Sequence, residues 1–220
     1  MLEKNTIDFL KKLKKSNHRD WLEANRTSYE DAKNNFLSIV EKMIQHLSKS
    51  DSRYGELQAK QCVFRLNRDI RFSKDKSPYK TNFGASFSIG GKKSHYAGYY
   101  LHLDPENSFA GGGIWMPEAD MLKKIRQEID YNADEFLAIL KHKTFVNTFG
   151  TLHQDDKLKN PPKGYDSENK VIEMLKLKSF TAMKGFTVED VLNKRFPNEV
   201  AKTFDALEPL LSFLNRIYES

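Results

Sequence analysis

The hydrophobic period of this chain changes twice, and that change limits its possible folds more than any other feature. Through residue 50 the apolar side chains recur every three or four positions, the spacing of an α-helix buried on one face. In TIDFLKKLKK the recurring residues are Ile7, Phe9, Leu10 and Leu13, with Asn5 or Thr6 placed to cap the helix. A second helical stretch begins near Asn17–Asp20 and carries Trp21 and Leu22. A longer one, YEDAKNNFLSIVEKMIQHLSK, puts Phe36, Ile39, Val40, Met43, Ile44 and Leu47 on one side. The lysines of the first helix could suit a membrane surface, but a solvated face opposite a core-packed face accounts for them.

Between residues 60 and 116 the period falls to two. QCVFRLN reads as a strand, and NFGASFSIGG alternates Phe83, Ala85, Phe87 and Ile89 with small polar residues before a Gly90-Gly91 turn. HYAGYYLHLD and NSFAGGGIWM read as two more strands, with the turn Asp104-Pro105-Glu106-Asn107 between them. Strands joined by such short connections pair antiparallel. From Pro117 the helical period returns: Leu122, Ile125 and Ile129 lie inside one helix, and Asn132 is placed to cap ADEFLAILKHK. KLKNPPKGYDSENK is a loop, VIEMLKL a short helix, SFTAMKGF a further strand, and the tail from Asn198 a long helix containing Pro209. The expected fold is therefore a single α+β domain over residues 1–220. It has a helical part (1–50), a sheet part (60–116) and a helical part with one further strand (117–220), the sheet being mostly antiparallel.

Charge is unevenly placed. The chain carries a net +6, and residues 60–80 hold seven Lys/Arg against two Asp, so five of the six charges sit in that one stretch. A general nucleic-acid coat spreads its basic residues more widely, and a local anion site fits better. The one cysteine rules out an internal disulfide. No run reaches the length of a signal peptide or membrane span, and a cytoplasmic location without membrane attachment is expected.

The basic stretch is RLNRDIRFSKDKSPYK, residues 65–80. Arginine suits an anion clamp because its planar fork donates two parallel hydrogen bonds to phosphate or carboxylate. Arg65, Arg68, Arg71, Lys76 and Lys80, with Tyr79 in support, are the candidate ligand-binding residues. Asp69 and Asp75 could equally pair with these cations and stabilise a turn. Six cations against two acids leave an excess, so a mixed arrangement is expected: Asp69 orients Arg68 or Arg71 while other cations face a ligand.

This string resembles the signature of a conserved bacterial family filed as a domain of unknown function. The matching positions are Arg65, Arg68, Asp69, Arg71, Phe72, Asp75, Lys76, Pro78, Tyr79 and Lys80. The segment Ala110-Gly111-Gly112-Gly113-Ile114-Trp115-Met116-Pro117 and the later Lys178-Ser179-Phe180 are similar to further parts of that family. The resemblance covers most of the chain and implies one domain. It implies no catalytic residue.

Other candidates follow from residue chemistry. Gly111-Gly112-Gly113 is neither a dinucleotide fingerprint nor a Walker A loop, and Glu118 and Asp120 beyond it would oppose an anion. A strand bulge is the preferred reading of the glycines, and a pocket wall the next. No histidine pair has metal-ligand spacing, so neither a metal nor a dinucleotide cofactor is indicated. Either His95 or His102 could serve as a general base if the fold brings it near Arg68, and His102, with Asp104 on its strand face, is the better candidate. Asp104 and Asp69 are the other catalytic candidates, and a half-buried structural histidine is the preferred reading. Cys62 precedes the cations that would activate a thiol, but Val63 and Phe64 suggest a core position. Three functions remain in view. One is a binding protein for, or enzyme acting on, a small phosphorylated or carboxylated molecule. Another is a nucleic-acid binding module, its tyrosines stacking bases. The third is a docking protein whose basic segment meets an acidic partner.

Overall fold

The computed structural model describes residues 1–218. Its helices are α1 (Lys4–Lys15), α2 (Arg19–Ala24), α3 (Arg26–Leu47), α4 (Ala59–Cys62), α5 (Ala119–Tyr131), α6 (Ala133–Lys141), α7 (Lys143–Phe149), α8 (Ile172–Leu175), α9 (Val188–Leu192) and α10 (Phe196–Asn215). Strands β1 (Phe83–Phe87), β2 (Gly98–Leu103), β3 (Ser108–Ile114) and β4 (Phe180–Phe186) form one antiparallel sheet in sequence order. The fold is α+β, as the two changes of period require. The chain divides into two compact units: residues 1–92, 100–110 and 185–202, and residues 93–99, 111–184 and 203–220.

In the first unit α1 packs on α3, and α3 packs on β1. The apolar faces read from the sequence are the ones buried: Ile7, Phe9, Leu10 and Leu13 on α1, and Phe36, Ile39, Val40 and Met43 on α3. Phe83 is the hub, with ring centroids 5.5 Å from Phe36, 6.4 Å from Phe9 and 6.5 Å from Tyr29. Each side chain buried in this way contributes about 1.5–3 kcal/mol through apolar transfer. Along β1 the alternation puts Phe83, Ala85 and Phe87 into the core. On β2, Leu101 and Leu103 are buried while Tyr100 and His102 are only half covered.

The second unit buries Ile125 and Ile129 of α5, Phe136 of α6 and Leu207, Leu210 and Phe213 of α10. Phe136 and Phe213 meet with centroids 5.1 Å apart. Helix α10 runs through Pro209 without interruption. At its end Asn215 is 7% exposed and bonds both ways to one residue, accepting from Ala97 N (2.7 Å) and donating to Ala97 O (3.3 Å).

Several local expectations differ from the structure. Residues 61–67 are not a regular strand. Ala59–Cys62 closes a short helix, and the chain beyond it makes only isolated bridges, Val63 to Ala85 and Asn67 to Tyr79. Val63 and Asn67 are four positions apart on one limb while their partners Ala85 and Tyr79 are six apart on the other, so the ladder is bulged and cannot run on evenly. Neither Asn5 nor Thr6 caps α1: Glu3 holds that position, and the Thr6 hydroxyl donates to Asn35 Oδ1 instead. Asn132 stands at the start of α6 but turns its side chain back to Glu128. The expected strand through Met116 ends at Ile114.

Asn215→Ala leaves a buried N–H and C=O of Ala97 unpaired, at about 1–3 kcal/mol each. The urea midpoint of the variant should fall accordingly, the unfolding free energy dropping by about 2–6 kcal/mol, with far-UV dichroism unchanged.

Candidate functional site

The basic stretch is the far end of a hairpin whose returning limb becomes β1. Arg68 N donates to Pro78 O (2.9 Å) and Lys80 N to Leu66 O (2.8 Å), which bring residues 66–68 beside 78–80 and leave 69–77 as a loop. Leu66 and Tyr79 point inward and are buried, so the neighbouring cations are turned out. Asn17, in the connection between α1 and α2, secures the base of the hairpin. Its amide donates to Tyr79 O (2.9 Å) and accepts from Tyr79 N (3.1 Å).

These contacts shape a cleft of about 370 Å³, lined chiefly by Lys14, Asn17, Arg68, Asp75, Lys80 and Asn82. Of the six residues expected to bind a ligand, Arg68, Tyr79 and Lys80 line it. Tyr79 contributes through its backbone, since its ring is in the core. The other three do not line it. Arg71 donates two bonds to Asp69 (3.0 and 2.7 Å) and lies over the ring of Phe72, while Lys76 donates to Ile70 O (3.0 Å). Arg65 is exposed on the rising limb.

Charge pairing inside the hairpin is selective. Asp69 serves Arg71, not Arg68, and the Arg71 guanidinium holds the Asp69 carboxyl below its usual range. Asp75 accepts from the Ser77 hydroxyl, Arg68 and the Ser77 amide, and in that order these push it far below an ordinary carboxylate. Lys14 is bound to Glu106 across 2.6 Å. Lys80 and Arg65, by contrast, have no carboxylate partner among the described residues. Burial, then the nearby charges of Arg65 and Lys92, lower the Lys80 pKa.

Lys80 also belongs to a row of rings on the outer sheet face. Its ammonium stands 5.4 Å from the Phe64 centroid, and that of Lys92 5.3 Å from the same ring. Phe64 meets Tyr100 edge-on, and Tyr100 leads to His102 and Phe109, the latter two stacked 4.8 Å apart. The Tyr100 ring occupies the space that a side chain at Gly84 would need. Burial is the main reason His102 has a lowered pKa and Tyr100 a raised one. Asp104 is committed elsewhere: its Oδ1 accepts from Glu106 N (2.8 Å) and Asn107 N (3.2 Å) to build the β2–β3 turn. Cys62 is buried, and burial raises its pKa, which is the wrong direction for a nucleophile.

Sequence reasoning did not find Lys14, Asn17, Asn82, Phe64 or Lys92. Nothing in the local pattern marks Asn17, a single amide between two helices. Lys92 follows a Gly-Gly turn and carried a weak signal, a cation on the far side of a hairpin strand from the basic run.

The glycine run lies in the second unit. A Cβ on Gly111 would overlap the β4 backbone at Ala182 and Met183, and one on Gly113 (φ +123°) the carbonyl of Phe180. Close backbone approach is the reason for these glycines. Among the described residues no three His, Cys, Asp or Glu side chains gather as metal ligands do, and no helix is long and apolar enough to cross a membrane.

An α+β fold presenting a basic hairpin beside a four-stranded antiparallel sheet is the class defined here. The chain belongs to the family described as conserved hypothetical protein (DUF2461), whose model matches residues 5–213. No curated protein and no solved structure matches it significantly.

Because the folded-state pKa of Asp75 is depressed, the stability that its bonds to Ser77 and Arg68 contribute is fully present above the ordinary carboxylate value, about pH 4, and is lost as pH falls from there through the folded-state pKa. The protection of the Ser77 amide, measured against the exchange rate of an unstructured peptide at the same pH, should therefore fall in that acid window. In Asp75→Asn it should be low already at pH 7, and acidification should lower it little further.

Proposed function

We propose that the cleft at the base of the basic hairpin binds a small molecule carrying a phosphate or carboxylate group. The observation that carries the proposal is Lys80, half-buried at the cleft, without a carboxylate partner and with two further cations close enough to depress its pKa. A cation so placed is unfavourable in the empty protein, and a bound anion removes the penalty. Arg68 and Lys14 stand at the cleft walls, each pre-oriented by a carboxylate, and Asn17 and Asn82 add neutral polar groups. Asp75 is the one acidic side chain in that lining, so the cleft stays cationic overall. His102 is turned to the outer face with Tyr100 and Phe109, which makes it a candidate proton carrier only for a ligand extending from Lys80 over that face.

A second reading, contact with nucleic acid, draws on the hairpin tip. Phe72 is 96% exposed, with the Arg71 guanidinium 5.8 Å from its ring centre, and an exposed ring beside cations suits base stacking. Salt separates the two readings: binding that neutralises several backbone phosphates weakens steeply with ionic strength, whereas a clamped small anion loses less.

The test is a thermal-shift panel of nucleotides, sugar phosphates, dicarboxylates and short oligonucleotides on the wild type, Lys80→Met and Phe72→Ala. A cleft ligand at ~100 times its dissociation constant stabilises the wild type by about 2.7 kcal/mol, a rise of roughly 5–10 °C for a chain of this length. Lys80→Met should abolish that rise and Phe72→Ala leave it intact. Lys80 has a lowered folded-state pKa, so its protonated form costs stability below that pKa and the cost fades as pH rises through it. Ligand-free Lys80→Met should therefore melt slightly above the wild type at pH 7 and lose this advantage as the pH approaches that of an ordinary lysine. No response to any anion in the wild type would refute the small-molecule reading.

A further inference from the structure

The second unit contains a cavity of about 350 Å³ whose chemistry is opposite to that of the cleft. Its lining includes Tyr96, Trp115 and Tyr218 together with Glu118, Asp120 and His95. Tyr96 and Tyr218 pack with ring centroids 4.7 Å apart, and the Tyr218 hydroxyl donates to His95 O, which fixes both rings as one wall. Trp115 is 76% exposed and makes no ring contact among the described residues. The indole follows directly on Ile114, the buried last residue of β3, and stands at the mouth of the cavity.

The backbone around Trp115 is constrained. Gly111 and Gly113 let β3 press against β4, as described above, so the chain reaches Trp115 along a fixed path. Met116, the next residue, adopts a left-handed conformation (φ +45°) unusual for a non-glycine residue, and its N–H donates to the buried Ser179 hydroxyl (2.9 Å). Strain of this kind persists where the surroundings hold a side chain in a required position.

Glu118 and Asp120 supply the charge. They sit at the start of α5, Glu118 at its N-cap and Asp120 in its first turn. Neither has an ion-pair partner among the described residues. Two unpaired carboxylates beside three electron-rich rings attract a cation through both charge and ring quadrupole. The cavity volume lies at the small end of the range for small-molecule sites.

We propose that this cavity binds a small alkylammonium cation, its methyl groups against Trp115 and the Tyr96–Tyr218 wall and its charge facing Glu118 and Asp120. Rings favour an alkylated ammonium over a bare metal ion, which the carboxylates alone would hold through water. The inference is independent of the anion cleft, which lies in the other unit.

The two tryptophans give two indole N–H resonances, and the Trp115 signal is the one missing from Trp115→Phe. Choline and tetramethylammonium, titrated separately, should shift that signal along a saturating curve, and inorganic phosphate should leave it in place. The neutral carbon analogue of choline, 3,3-dimethylbutan-1-ol, should bind at least about tenfold more weakly, because it fills the same space without the charge. Glu118→Gln combined with Asp120→Asn should weaken choline by a similar factor while the ligand-free indole spectrum stays unchanged. Both positions are exposed, so the double variant should fold normally. Equal affinity for choline and its neutral analogue would overturn the proposal, as would an unmoved Trp115 signal up to about 100 mM choline, an affinity too weak for a built site.

Discussion

The basic hairpin depends on one ring. Phe83 begins β1 and is wedged among Phe9, Tyr29 and Phe36, so the returning limb of the hairpin is clamped to α1 and α3. Everything N-terminal to it on that limb inherits the orientation: Tyr79 inward, Lys80 half-covered, and the loop 69–77 projecting. Strand alternation then does the sorting, since inward burial at one position obliges its neighbour to face out. The Asn17 amide fixes the same limb at Tyr79, replacing the regular ladder that the bulge interrupts.

The cations of this hairpin divide into two groups. Arg71, Arg68 and Lys14 each have a carboxylate within direct reach, and such exposed pairs stabilise little but orient well. Lys80 and Arg65 have none, and Lys92 has only a backbone carbonyl and the face of Phe64. A ring face attracts a cation more weakly than a carboxylate does, so this corner of the molecule remains undercompensated. Of the seven cations in residues 60–80, Arg68 and Arg71 thus take the two carboxylates of that stretch, and among the others the charges of Arg65 and, from outside the stretch, Lys92 act on Lys80.

In the second unit the cavity beside Trp115 has the opposite polarity, with Glu118 and Asp120 in its lining. The glycine-rich strand β3 leads into a helix, as a phosphate loop does, but Glu118 and Asp120 at that helix start oppose an anion. In the fold those same carboxylates line an aromatic cavity, so the feature that excludes an anion is the one that suits a cation. A glycine run chosen for close backbone approach and a tryptophan held outside the core are two consequences of one strand path.

The sequence alone determined the fold class, because a change of hydrophobic period from 3.6 to 2 and back is a local property that each segment carries unaided. It also located the charge and the turns, since Gly90-Gly91 and Asp104-Pro105-Glu106-Asn107 act through their own backbone chemistry. Residues 61–67 were misread as a regular strand because their pairing depends on a partner limb two residues longer, a fact invisible in either segment. The assignment of carboxylates was likewise undetermined: Asp69 could serve Arg68 or Arg71, and only the hairpin geometry gives it to Arg71. Lys92, Asn17 and Glu106 entered the site from outside the basic run through packing. Tertiary structure alone decides which charges find partners, because ion pairing and burial depend on distance through space, and distance through space is not written in the spacing along the chain.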